Sequence, residues 1–322
     1  MKRVLVTEPL HESGMALLEA RPDIEIAIAR DITPETLAKA VRDVHGIAVR
    51  VARLPAEVLS CAGKLEVVSR HGVGCDRLDM AHLNGRGIPV MIAAGASAAT
   101  VAEHAMGLLL ATARGLVRQD RAIRDGWFND RLERLAVDLS GATMLIVGFG
   151  RIGRKLAPLA RAFGMEVIVA DIALDAALAR EMGCRGVADF RPELPKADMV
   201  SLHVPLDETT RDFISGDEFA AMKDGAILIN CARGAVVNEA AMIAALDSGK
   251  LAGAGLDVFA AEPAPDNHPL FSRTDVVLSP HTAASSGKAT KLSSEMTARN
   301  ILDFFDGAPR QDCIFNPEVL GP

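Results

Sequence analysis

A strand-like run, Met144-Leu145-Ile146-Val147, passes directly into Gly148-Phe149-Gly150-Arg151-Ile152-Gly153 and then into a helix-like stretch reaching Phe163. Three glycines at this spacing permit a tight turn, close approach of backbone to a pyrophosphate, and close packing of helix on strand. The helix start adds free N–H groups and the positive end of its dipole. An ordinary strand-to-helix turn carries glycines too, so context decides. The next strand, 167–170, ends at Asp171, eighteen residues past the third glycine. A carboxylate there accepts hydrogen bonds from the adenosine ribose of a dinucleotide and repels a 2′-phosphate. No Lys or Arg stands in 172–178 to receive that phosphate, so the pattern favours NAD over NADP.

Three further residues follow strand-like segments. Arg233, in Asn230-Cys231-Ala232-Arg233-Gly234, closes the run 226–230; Glu262, held extended by Pro263, follows 254–258; His281, after Pro280, follows 276–279. Taken singly, they read as a surface arginine, a turn acid and a partly exposed histidine. Together they meet the demands of hydride transfer at C2 of a small 2-hydroxy or 2-oxo acid. A planar cation grips the carboxylate and polarises the carbonyl. An imidazole gives or takes the hydroxyl proton, and a neighbouring carboxylate favours its protonated form and fixes its tautomer. Ligands of open α/β sheets bind at the carboxyl ends of the strands, where all three residues fall.

The elements that must position them alternate. Short apolar runs at 4–7, 24–28, 46–50, 65–69 and 88–91 are separated by helical patterns at 13–20, 34–44, 55–61 and 78–83, with Thr33 as N-cap and Pro34 at the first helical position. A long small-residue helix is expected over 98–118. A second series follows, with strands at 144–147, 166–170, 199–204, 226–230, 254–258 and 276–279. This βαβ rhythm implies open parallel sheets, an α/β fold. The last helix, 287–306, has no strand after it and can return to the first domain. Pro158 interrupts the helix after the glycine loop and should bend it.

Bulk properties agree. The 322 residues suit two domains; 49% are hydrophobic and 24% charged, with no Tyr and one Trp, a profile suited to buried parallel strands under helices. A net charge of −7 argues against nucleic acid as a partner. The five cysteines have neither disulfide nor zinc spacing, so a reducing cytoplasm is the simplest setting. No run approaches the roughly 20 apolar residues of a membrane span, and the apolar start breaks at Glu8-Pro9, too early for a signal peptide. No metal-ligand spacing is present; His71 and His104 are left as structural residues.

The motifs Gly148–Gly153 with Asp171, Asn230–Gly234, Leu256-Asp257-Val258-Phe259 leading to Glu262-Pro263, and Pro280-His281, in this order across nearly the whole chain, resemble the D-2-hydroxyacid dehydrogenases. That family includes D-lactate, hydroxypyruvate/glyoxylate and 3-phosphoglycerate dehydrogenases. The resemblance implies that Arg233 binds substrate carboxylate and carbonyl, His281 is the acid/base and Glu262 orients it. It implies that Asp257 holds the nicotinamide carboxamide, and that His203, Val204, Pro205, Thr209, Cys231 and Ala232 line the cofactor beside Gly148, Gly150, Arg151, Ile152 and Gly153. It also implies a Rossmann cofactor domain, 98–285, inserted in a flavodoxin-like substrate domain, 1–97 plus 286–322, and a homodimer built largely from the cofactor domains.

On the substrate side, Ser69-Arg70-His71-Gly72-Val73-Gly74-Cys75-Asp76 is similar to the family's substrate loop, whose backbone N–H groups, here at Val73 and Gly74, meet the carboxylate. Arg50 and Arg70 resemble the arginines of the phosphoglycerate branch and would suit a second anionic group; ordinary pairing with Asp76 or Asp79 is the alternative. The chain departs from the family at Ala94 and Ser97, where Pro and Asn are frequent, at Arg77 in place of Asn, and at Arg131, displaced from the branch's arginine after Trp127. The other readings of the same fold are an NAD(H)-sensing corepressor or scaffold, which has little partner-binding extension to use here, and a formate dehydrogenase.

Overall fold

The computed structural model describes residues 1–129 and 135–321, so Arg131 lies outside the described residues. In chain order the elements are β1 (Lys2–Val6), α1 (Glu12–Glu19), β2 (Ile24–Ile28), α2 (Pro34–Ala40), β3 (Gly46–Val49), α3 (Ala56–Leu59), β4 (Val67–Arg70), α4 (Met80–Gly85) and β5 (Val90–Ile92). There follow α5 (Ala98–Arg114), α6 (Leu116–Arg124), β6 (Thr143–Val147), α7 (Gly153–Ala162), β7 (Glu166–Ala170), α8 (Ala176–Glu181), β8 (Arg185–Val187), β9 (Met199–Leu202), α9 (Gly216–Ala221), β10 (Ala226–Asn230), α10 (Glu239–Asp247), β11 (Leu251–Leu256), β12 (Val276–Leu278) and α11 (Gly287–Phe305).

The chain forms two compact units: Met1–Ser97 with Ser285–Pro322, and Ala98–Ala284. The first holds a five-stranded parallel sheet in the order β2-β1-β3-β4-β5, the order of the flavodoxin-like doubly wound fold. Its two faces carry separate cores. One is built around Leu5, Ile47, Val68 and Val90; the other, around Val4, Val6 and Val67, is closed by Met296, Ile301 and Leu302 of α11. Alternate residues of one strand thus feed opposite cores, as a period of two requires when both faces are covered. Within this unit α11 is fastened to the start of α1 by the His11 N–H, which donates to Ser294 Oγ at 3.0 Å.

The second unit holds a seven-stranded parallel sheet, β12-β11-β10-β9-β6-β7-β8. Chain order reverses between β6 and β9, the switch point where doubly wound sheets open a crevice at their carboxyl ends. The fully buried AILIN of β10 is the signature of a central parallel strand.

Local differences from the sequence expectation have simple causes. The long helix expected over 98–118 stops at Arg114, because Gly115 adopts a left-handed conformation (φ 63°) and α6 restarts at Leu116. The edge strand β8 was not expected: it is three residues long and contains Arg185 and Gly186, so it carries no apolar alternation. Pro158 lies inside α7 on an exposed face, where the carbonyl it leaves without a partner can reach water.

Candidate active site

The glycine loop leaves β6 with Gly148 at φ 101°, and a Cβ there would stand 2.6 Å from the carbonyl oxygen of His203, which follows β9. A Cβ on Gly153 would stand 2.2 Å from the carbonyl oxygen of Gly148. These two positions close the turn against both strands of the switch point. Around Gly150, by contrast, added bulk would meet nothing within 4 Å. No side chain caps the start of α7 at Ile152; the N–H groups of Arg154 and Lys155 donate to the Gly150 and Ile152 carbonyls at 3.1 and 2.8 Å, while those of Ile152 and Gly153 have no acceptor among the described residues. Arg151 is exposed beside them. The loop is braced from behind: Arg154 Nε donates to the Phe149 carbonyl at 2.9 Å.

Asp171, just past β7, accepts the Phe149 N–H at 2.8 Å through Oδ2 and the Ala173 N–H at 2.9 Å through Oδ1. It therefore ties the glycine loop to the neighbouring strand end, with lone pairs left for further donors. The next residue, Ile172, is apolar and almost fully exposed. Across the switch point, His203 shares a 2.8 Å hydrogen bond between Nε2 and Ser201 Oγ, while its buried Nδ1 has no partner among the described residues. Burial pushes this imidazole down to about 4, so it is neutral at neutral pH. A bare helix start, an open Gly150, a ribose-height carboxylate and an orphaned polar nitrogen fit a dinucleotide. Val204 is partly buried and Pro205 exposed on the same loop. Thr209 is exposed on that loop, its N–H and hydroxyl donating to Asp207 Oδ1 at 2.8 and 2.6 Å.

At the end of β10, buried Asn230 shapes the arginine turn: its Oδ1 accepts the Ala232 N–H and its Nδ2 donates to the Arg233 carbonyl, both at 2.9 Å. Arg233 Nη1 donates to the Ala232 carbonyl at 2.7 Å. Cys231 and Ala232 are buried, and burial, followed by the charge of Asp257, pushes the Cys231 thiol up. The next residue, Gly234, is in such close contact that a Cβ would overlap the backbone of Phe259 at 2.0 Å. The arginine turn and the loop leading to Glu262 are therefore pressed together.

Glu262 and His281 meet directly, Oε2 to Nδ1 at 2.7 Å, and Glu262 Oε1 accepts the Phe259 N–H at 3.3 Å. Burial pushes the Glu262 carboxyl up. The His281 hydrogen bond and charge, the Phe259 N–H and the charge of Arg233 outweigh it and leave the group below its ordinary value. It stays ionised, an acceptor only, and draws a proton onto His281 Nδ1. Nε2 is then the nitrogen left to exchange a proton. Arg233, Glu262 and His281 thus converge at the carboxyl ends of three strands of one sheet.

Asp257, after β11, is 1% exposed, and both its oxygens are engaged: Oδ1 accepts from Ser279 Oγ at 2.6 Å and the Thr282 N–H at 2.8 Å, Oδ2 from the Ala283 N–H at 2.8 Å. His104 of α5 joins this group, its Nε2 lying 2.8 Å from Ser279 Oγ. Sequence reasoning missed Ser279 and His104. The hydroxyl beside Pro280-His281 was a visible signal; the histidine, 175 positions away, gave none.

In the first unit, Arg50 follows β3, with the N–H groups of Arg50, Val51 and Ala52 donating to the Glu8 carboxylate at 3.1, 2.7 and 2.7 Å. Its exposed guanidinium has no hydrogen bond or ion pair among the described residues. Arg70 curls onto its own loop, Nε to the Gly74 carbonyl at 3.0 Å and Nη1 to the His71 carbonyl at 2.6 Å. The loop's Val73 is exposed, and the N–H groups of Val73 and Gly74 find no acceptor among the described residues. His71 packs back onto Ser294 Oγ at 3.0 Å; burial, followed by the charge of Arg50, pushes its imidazole down. Among the described residues no cluster of His, Cys, Asp and Glu is arranged to hold a metal ion, and no helix is long and apolar enough to cross a membrane.

Residues 106–283 match the family model described as the D-isomer specific 2-hydroxyacid dehydrogenase, NAD binding domain. The chain is 37% identical over 326 residues to a glyoxylate reductase of Thermococcus litoralis, covering 99% of this chain and 98% of that one. It is 36% identical over 320 residues to a D-3-phosphoglycerate dehydrogenase of Methanocaldococcus jannaschii, covering 99% of this chain and 60% of the other; it spans about three-fifths of that relative's length. Among solved structures, a D-lactate dehydrogenase from Aquifex aeolicus complexed with NAD and lactic acid superposes with a TM-score of 0.86 at 29% identity, covering 95% of this chain and 96% of that one.

Proposed function

The chain belongs to the D-isomer specific 2-hydroxyacid dehydrogenase family, and from that premise we propose that it is an NAD-dependent oxidoreductase interconverting a small D-(R)-2-hydroxy acid and its 2-oxo acid. The observation that carries this is the 2.7 Å His281–Glu262 pair under the charge of Arg233. The nicotinamide, when bound, supplies or accepts the hydride. Gly148, Gly150, Arg151, Ile152 and Gly153 would hold its pyrophosphate and Asp171 its ribose, while His203, Val204, Pro205, Thr209, Cys231, Ala232 and Asp257 would border the rest. Arg233 grips the substrate carboxylate and polarises the carbonyl. In the reducing direction His281 Nε2 gives its proton to the carbonyl oxygen, and Glu262 steadies the imidazole through the exchange; in the oxidising direction the neutral ring takes that proton back.

Val73 and Gly74 would add two backbone donors to the carboxylate, and their unmatched N–H groups support this. The substrate class is finer still. A doubly anionic acid such as 3-phosphoglycerate is supported by Arg50, whose guanidinium has no partner among the described residues, and less by Arg70, which is tied to its own loop. Following NADH oxidation against glyoxylate, pyruvate, hydroxypyruvate, sulfopyruvate and 3-phosphohydroxypyruvate tests both levels. Turnover of none, with NADH still bound, would leave a sensing protein on the same fold. For a doubly charged substrate, Arg50→Ala lowers kcat/KM by about 10-fold or more, the scale of one charge-assisted hydrogen bond, while a singly charged acid is little affected. Equal losses on both would remove Arg50 from recognition.

Asp171→Ala should narrow the preference for NADH over NADPH by about 10-fold or more, since the repulsion of a 2′-phosphate disappears. A preference that does not move would mean that another group reads the ribose. A homodimer is also proposed, in a reducing cytoplasmic setting. Exposed Leu116, Val117 and Ile123 on α6 offer it an apolar surface. Light scattering should return twice the chain mass of 34.1 kDa; a monomeric mass would sink it.

A further inference from the structure

His281 has a left-handed backbone, φ 54°, a conformation that a residue with a Cβ adopts only when its surroundings impose it. What imposes it is visible. The His281 N–H donates to the Asp257 carbonyl at 2.8 Å, and the next two N–H groups, of Thr282 and Ala283, donate to the two oxygens of the Asp257 side chain. One residue thus binds three successive N–H groups and curls the chain around itself. Asp257 is in turn held by its own N–H, which donates to the Asn230 carbonyl at 3.0 Å, and by Ser279.

The direction of the Ser279 bonds can be deduced. A carboxylate only accepts, so the Ser279 hydroxyl gives its proton to Asp257 Oδ1 at 2.6 Å. Its oxygen is then free to accept, and the neighbour at 2.8 Å is His104 Nε2, which must carry the hydrogen. The same nitrogen lies 3.5 Å from Asp257 Oδ1. A helix, a hydroxyl and a buried carboxylate therefore form one chain of donors and acceptors ending at the turn that carries the imidazole. Such chains fix orientation, because each member has only one satisfied geometry.

We propose that Ser279 and His104 are positioning residues for His281: acting through Asp257, they hold the left-handed turn that aims its imidazole. This rests on the proton role proposed above for His281. Neither residue touches the reacting atoms. Their effect is on geometry, and a displacement of about 1 Å at a reacting group can cost about 10²-fold.

The test uses the full-length chain with Ser279→Ala, Ser279→Thr, His104→Leu and His104→Gln, measured beside His281→Ala. Ser279→Ala should lower kcat by about 10- to 100-fold, with KM for the 2-oxo acid and NADH affinity by fluorescence titration nearly unchanged. The limb of the kcat/KM–pH profile set by the Glu262–His281 couple should move as well. Thr, which keeps the hydroxyl, restores both. His104→Leu should act in the same direction but more weakly, and Gln, which keeps an Nε2 donor, restores it. Because His104 is partly exposed, its variants serve if Ser279→Ala fails to fold. If His281→Ala collapses while Ser279→Ala and His104→Leu keep wild-type kcat and pH profile, the positioning role is overturned and the proposed reaction stands. If His281→Ala turns over normally, both fall.

Discussion

Replacing His281 with alanine is expected to lower kcat for 2-oxo acid reduction by about 10²- to 10⁴-fold while NADH binds as before. The reasoning starts from which nitrogen is free. Glu262 remains ionised below the ordinary glutamate value of 4.5, so at neutral pH it engages Nδ1, leaving Nε2 as the only ring atom able to pass a proton to a developing alkoxide. Alanine removes that donor together with the ring that Glu262 holds in place. The barrier rises by the free energy of general acid catalysis, about 3 to 5 kcal/mol. Cofactor binding is insulated from the change, because the glycine loop and Asp171 lie after β6 and β7 whereas His281 follows β12. Steady-state turnover with a parallel fluorescence titration of NADH separates the two. A variant with wild-type kcat would remove His281 from the chemistry.

What was legible in the sequence was what is local. The glycine loop and Asp171 can be read because a turn, a helix start and a strand end are short-range events with fixed spacing, and Arg233, Glu262 and His281 because each closes its own apolar run. Parallel sheets followed from the alternation, since strands buried on both faces must be apolar throughout. The missing parts depend on contacts that no spacing encodes. His104 meets Ser279 only after α5 is laid against the sheet. Arg70 offered a free charge in the sequence, but the loop it precedes folds back to present carbonyls to it. The break at Gly115 was hidden for another reason. A small-residue helix and its interruption share a composition, and only the sign of φ distinguishes them.

Arg233→Ala should reduce kcat/KM for the 2-oxo acid by about 10²- to 10⁴-fold, larger than the expected effect at Arg50. A guanidinium facing a carboxylate and its adjacent carbonyl makes two charge-assisted hydrogen bonds, each worth about 1.5 to 3 kcal/mol where water is excluded. Their sum of about 3 to 6 kcal/mol gives that range. Part of it belongs to the reaction step, because the carbonyl oxygen gains charge as hydride arrives and the bond to it strengthens. The loss should therefore appear in kcat as well as in KM. Arg233→Lys keeps the charge but not the fork, and should recover only a fraction. The turn itself should survive, since Asn230 holds it through the backbone of Ala232 and Arg233, to which the guanidinium adds its bond to the Ala232 carbonyl; a cooperative unfolding transition and wild-type NADH affinity would verify this. Unchanged kcat/KM in a folded, NADH-binding Arg233→Ala protein would mean that the substrate carboxylate is held elsewhere.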